Sequence, residues 1–290
     1  MKRSIAVLAA SLVLLAATAA CGGDDATVGT GSGAGDEVVR PTGGEVVVQI
    51  VVDGGFVPVE VALSSVPTVT VLGDGTVITG APVPAIYPGP AIAPLQQATL
   101  DAAGVDRLVA RAEALGLLEG PLDFGRPPVA DAPDTTVTIA AGGTTHRHVA
   151  YALGITDRQP AGGGLPGLTA AQVANRTALS EFVEAANALP PGREAWVPSA
   201  IAVYDLGAYE LEPQLPQPQV AWPLSRPPAT ASSGAPPTGA RPCTLVEGDQ
   251  AATLLDALSR ANARTSWIVN GTARSLAFRP VVPGQPGCPA

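Results

Sequence analysis

His146 and His148 are the only two histidines of the 290-residue chain, and they stand two positions apart in the stretch Thr144 to Leu153. On a strand, residues i and i+2 share a face. That spacing can bring two imidazoles to one metal ion, or place a general base beside a carboxylate. Val149, Tyr151 and Leu153 alternate with them and make the apolar face. Burial of that face predicts both rings on the solvent side or in a shallow groove. Tyr87, in the Pro-rich segment 81–94, joins His146 and His148 as a candidate surface residue. No residue is assigned as catalytic, as a metal ligand or as a cofactor ligand.

The missing residue types exclude more than the present ones establish. Lys2 is the only lysine. Beyond it there is no material for a Walker-type phosphate loop, a kinase strand lysine, Schiff-base chemistry or an S-x-x-K nucleophile. No G-x-S-x-G elbow precedes a helix. Gly29-Thr30-Gly31-Ser32-Gly33 has neither a strand before it nor a helix after it, so it reads as linker. With 16 basic and 25 acidic residues the net charge is -9, which supplies no field for nucleic acid.

The N-terminus carries an address. Met1-Lys2-Arg3 is followed by an apolar run from Ile5 to Ala17, interrupted at Ser11, then Thr18-Ala19-Ala20 and Cys21. This is the tripartite secretory pattern, and residues 1–20 are expected to be the signal peptide. Ala17-Thr18-Ala19 also satisfies an A-x-A cleavage site, under which the chain would simply be secreted. Cys21 in this position resembles the acceptor cysteine of bacterial lipoproteins. The Lys-free remainder and the Ala, Gly, Pro and Arg-rich usage resemble secreted lipoproteins of high-GC Gram-positive bacteria. That resemblance implies lipidation at Cys21 and an anchored, extracytoplasmic location at the cell membrane; it implies no activity. It also uses one of three cysteines and leaves Cys243 and Cys288, with neither a C-x-x-C spacing nor a nearby His, as a disulfide pair. Loss of residues 1–20 removes two bases and no acid, leaving 14 bases against 25 acids. The lipid would then hold the chain without help from anionic headgroups.

Glu45–Asp53 is a β-branched run that reads as a buried strand. Thr68–Leu72 and Thr76–Thr79 flank Asp74-Gly75, a hairpin signal. From Asp101, Val105, Leu108, Val109, Ala112 and Leu115 form one helix face, stopped at Gly116. Thr135–Ala140 and Thr144–Leu153 make a second hairpin. Thr169 and Gln172 form a capping box that starts a helix carrying Leu179, Phe182 and Ala186. Ala200–Asp205, a short edge strand at 219–222, Cys243–Glu247, a helix with Ala251, Leu254 and Leu258, and a hairpin around Asn270-Gly271 complete the chain. Segment 81–94, with Ile86, Tyr87 and Ile92 among prolines, is expected to cover its own core; the other reading is a stiff binding edge.

The Gly and Pro residues, 33 and 30 of them, concentrate in spacers between patterned segments. The expected fold is α+β, with antiparallel sheets carrying helices on one face, in two small units. The expected divisions are signal peptide 1–20, tether 21–43, a unit at 44–192, and a smaller unit at 193–290 with a Pro-rich connector at 224–242. The functional expectation is an envelope binding or interaction module that meets another envelope protein or a small ligand. The alternatives are an envelope hydrolase built on a His and carboxylate site, or a structural or inhibitory protein.

Overall fold

A computed structural model describes residues 39–155, 167–215, 217, 219–230 and 241–288. The signal peptide, Cys21, tether positions 21–38 and connector positions 231–240 lie outside the described residues.

The first sheet is antiparallel and seven-stranded. Its strands are β1 (Val46–Gly54), β2 (Val69–Leu72), β3 (Thr76–Gly80), β4 (Leu95–Thr99), β5 (Pro133–Ala141), β6 (Thr144–Tyr151) and β7 (Glu194–Trp196), in the spatial order β6-β5-β1-β2-β3-β4-β7. The second sheet contains β8 (Ala200–Ala208), β9 (Gln219–Ala221), β10 (Cys243–Glu247), β11 (Ser266–Val269) and β12 (Thr272–Pro280), in the order β10-β8-β12-β11-β9. Among its named strands, β11 and β9 pair in parallel. Among the described residues four helices are interleaved: α1 (Val59–Ser64), α2 (Ala102–Ala114), α3 (Ala170–Asn187) and α4 (Gly248–Ser259). The fold is therefore α+β: α2 and α3 pack on one face of the first sheet and α4 on one face of the second, while Leu63 of α1 packs on the other face of the second sheet, against Ala202, Tyr204 and Ala277.

Side-chain alternation builds two cores. Val48 and Ile50 of β1, Val137 and Ile139 of β5, Val105, Leu108 and Val109 of α2, and Leu179 and Phe182 of α3 pack together. Ile201 and Val203 of β8, Leu254 and Leu258 of α4, Trp267 and Phe278 form the other. The helix starts follow the sequence signals. Asp101 caps α2 by accepting from Gly104 N at 2.7 Å. Thr169 Oγ1 accepts from Gln172 N at 3.2 Å while Gln172 Oε1 accepts from Thr169 N at 2.8 Å. In the β2-β3 turn, Gly75 has φ +90 and a Cβ there would run into Leu100 O, so only glycine fits.

Two segments cross between the sheets. In 81–94, the stretch Gly89–Ile92 lies on the second sheet: Ala263 N donates to Gly89 O at 2.9 Å, and Ala91 and Ile92 pack against its core. The same segment leaves Val83, Ile86 and Tyr87 exposed, so covering is the role of its second half. In the opposite direction, residues 281–288 leave β12 and run over the first sheet. Val282 is buried with Leu72, Ile78 and Leu95, and Gln49 Nε2 donates to Pro283 O at 2.8 Å. The described residues form one compact unit with two cores.

Two segments dock on the first sheet. Glu194–Trp196 pairs with β4 of the first sheet, because the chain after α3 returns along that sheet's free edge. Residues 39–43 are docked: Arg40 binds Asp106 at 2.6 Å and donates to Gly73 O at 3.0 Å, and Gly142 N donates to Val39 O at 2.7 Å.

Cys243 and Cys288 are bonded, with an S–S distance of 2.06 Å and a sequence separation of 45. In the chain-entropy picture a loop of that length is worth about 4 kcal/mol. Cys288→Ser is expected to lower the unfolding free energy by up to that amount, measured by denaturant titration. Reduction of the wild type should reproduce the loss, and the variant should be indifferent to reductant.

Candidate functional site

His148 is not at the surface. It is 3% exposed, its Nε2–H donates to Leu117 O at 2.8 Å, and its ring meets Phe124 edge-on at 5.7 Å. The cause is register. Directly opposed residues in an antiparallel pair share a face, and β5 places Val137 against His148, Ile139 against His146 and Thr135 against Ala150. Since Val137 and Ile139 belong to the core, the histidine face of β6 is the inward one. His148 lies within it, His146 is half-buried at its rim, and Val149 points outward. Tyr151 packs in a small separate cluster with Ala132 and Ala152. Its hydroxyl donates to Val129 O at 2.7 Å and accepts from Ala132 N at 3.1 Å. Leu153 follows the left-handed Ala152 (φ 55), which turns the chain so that Leu153 reaches the core from beyond the strand.

Tyr87 is 71% exposed and lines a groove of about 380 Å³ with Val59, Val61, Leu206 and Leu276, beside the second sheet. The structure therefore does not bring His146, His148 and Tyr87 into one site.

A different set of residues does converge. The face of the first sheet opposite α2 and α3 and the face of the second sheet opposite α4 meet across a groove of about 410 Å³. Its floor comes from the alternate positions of β1, namely Gln49, Val51 and Asp53, with Thr136 and Thr138 of β5 and Arg147 of β6. Gln49 lies opposite Thr138, and Thr138 opposite Arg147, so these three form one cross-strand row. Ala62, Leu63 and Ser65, in and just after α1, rim one side. Tyr204 and Arg279 of the second sheet and Gly284–Pro286 of the C-terminal segment close the other.

The polar groups here are held by tertiary bonds. Gln49 is buried, and its Nε2 donates to both Thr70 Oγ1 at 3.1 Å and Pro283 O at 2.8 Å. Arg279 is 7% exposed, and its Nη2 donates to Tyr204 Oη at 3.0 Å, Pro286 O at 2.9 Å and Gly287 O at 2.7 Å. Gly284, at φ +82, passes so close to β1 that a Cβ would lie 2.8 Å from Val46 Cγ2. Only the polar Gln49 within a β-branched run hinted at this face in the sequence. Arg279, 230 residues away, carried no local signal.

Among the described residues no group of three or more His, Cys, Asp or Glu gathers to hold a metal ion, and no helix is long and apolar enough to cross a membrane. No protein-family model, curated protein or solved structure matches the chain.

Burial holds the His148 imidazole below its ordinary value of 6.5; the Leu117 carbonyl opposes this in part, and nearby His146 adds to it. The unfolded chain therefore takes up a proton before the folded one does. Stability should be fullest above pH 6.5 and fall as pH drops through it toward the lowered folded value, by at most about 1.4 kcal/mol per pH unit. In His148→Gln, whose amide can still donate to Leu117 O, thermal denaturation should lose that component of the pH slope.

Proposed function

We propose that this chain is a lipid-anchored, extracytoplasmic binding module of the cell envelope, and that the groove between the two sheets is its binding surface. The groove is the observation that carries the reading. Ligand sites of small folds favour clefts of about 300–1,000 Å³ lined by apolar walls and a few fixed polar groups. Here Val51, Leu63 and Pro286 supply apolar wall, and Gln49, Thr138, Arg147, Tyr204 and Arg279 supply the polar groups. The floor is regular strand and the crossing C-terminal segment is bonded to both sheets through Gln49 and Arg279, so polar groups are set before any ligand arrives and little ordering entropy is lost on binding. The anchoring half of the proposal rests on the N-terminal sequence, with Cys21 as the acylated residue.

Two measurements test the halves separately. Mass spectrometry of membrane-extracted protein should show an N-terminus at Cys21 carrying acyl mass, and Cys21→Ser should release the chain from the membrane fraction. In a thermal-shift screen of small ligands, hits on the wild type should disappear in Thr138→Trp, whose indole would occupy the groove floor. Hits that persist unchanged in that variant would place binding elsewhere on the protein.

A further inference from the structure

We infer that the groove takes a small anion, a carboxylate or phosphate group, seated at its Gln49, Thr138, Arg147 and Arg279 end. The inference rests on the groove being the binding surface.

The argument starts from Arg279. A guanidinium buried to this degree is costly unless a counter-charge and hydrogen-bond acceptors meet it. Two other arginines with little exposure meet that need with carboxylates, Arg40 with Asp106 and Arg274 with the fully buried Asp205, while the buried Arg176 donates to the Phe124, Tyr151 and Ala152 carbonyls. Arg279 has neutral acceptors alone, the Tyr204 hydroxyl and two backbone carbonyls, all taken by Nη2. Among the described residues it forms no ion pair, although acids outnumber bases 25 to 16 in the chain. Arg147 lines the same groove and likewise forms none.

The groove's own acid does not supply the charge. Asp53 stands four residues from Gln49 along β1, about 13 Å at strand spacing, so it marks the far end of the floor. The row of Gln49, Thr138 and Arg147 offers one cation and a hydroxyl, and Arg279 is the second cation lining the groove. A planar guanidinium with unused N–H groups matches the paired oxygens of a carboxylate or phosphate, and 410 Å³ admits a molecule of metabolite size.

The test is calorimetric titration of the full chain with two probes, inorganic phosphate and citrate, at low and at high ionic strength. At least one should bind saturably and raise the melting temperature, and the preferred probe separates a phosphate source from a carboxylate source. Arg147→Gln, a change at an exposed position without an ion pair, should keep the wild-type melting temperature without ligand and weaken binding at least tenfold. Arg279→Lys keeps the charge but loses the fork, and should weaken binding by a similar factor; Arg279→Gln is avoided because Nη2 also holds the C-terminal segment. The proposal is overturned by no saturable binding of either probe, or by binding that Arg147→Gln leaves unchanged. If screening instead yields a neutral or cationic ligand that Thr138→Trp abolishes, the groove reading stands and the anion proposal falls. If anion binding survives Thr138→Trp, both fall.

Discussion

The exchange of segments between the two sheets is the constraint on which the rest of this molecule depends. Residues 281–288 leave the second sheet and bury Val282 in a cluster on the first. Val281 N donates to Ala200 O at 3.0 Å on the way, and the Cys243–Cys288 bond returns the end of the segment to β10. Gly89–Ile92 makes the reciprocal crossing. Val282 covers apolar surface of the first sheet at Leu72, Ile78 and Leu95, and Gly89–Ile92 extends the second sheet through an Ile92–Phe278 bridge and packs against the core that α4 covers.

This arrangement explains where the groove lies. The inner face of each sheet is sealed by helices. The outer face of the first sheet is covered over β2, β3 and β4 by the C-terminal segment and left open over β1, β5 and β6. A partly covered sheet face backed by a second sheet leaves a cleft with rigid walls. Two of the buried polar residues lie along the same junction: Gln49 and Arg279 each bind backbone carbonyls of the crossing segment. Their bonds fix the path of that segment, and the segment in turn defines one wall.

Local patterning carried most of the elements. The capping box at Thr169, the Asp74-Gly75 turn, the α2 stripe and the two later hairpins appear where their residues call for them, because each depends on contacts within a few positions. Three elements were not legible. β4, with sequence LQQAT, has no alternating apolar pattern, and β7 is three residues at a sheet edge. α1 buries none of its residues and so has no stripe to read. His148 was misplaced because three apolar residues suggested the wrong face, while the deciding information was the core face of β5, its neighbour.

By itself, the sequence determined the α+β class, the starts of α2 and α3, the hairpin turns and the pairing of the two later cysteines. These follow from short-range sterics, from periodicity and from the number of thiols to be accounted for. Tertiary structure alone decided which face of β6 is inward, that segment 81–94 is half cover and half exposed, and that Gln49, Arg147 and Arg279 share one groove. Side-chain direction in a strand is set by its partner's burial, and the approach of Gln49 to Arg279 depends on a chain crossing 230 residues later. Neither leaves a mark in any local window of residues.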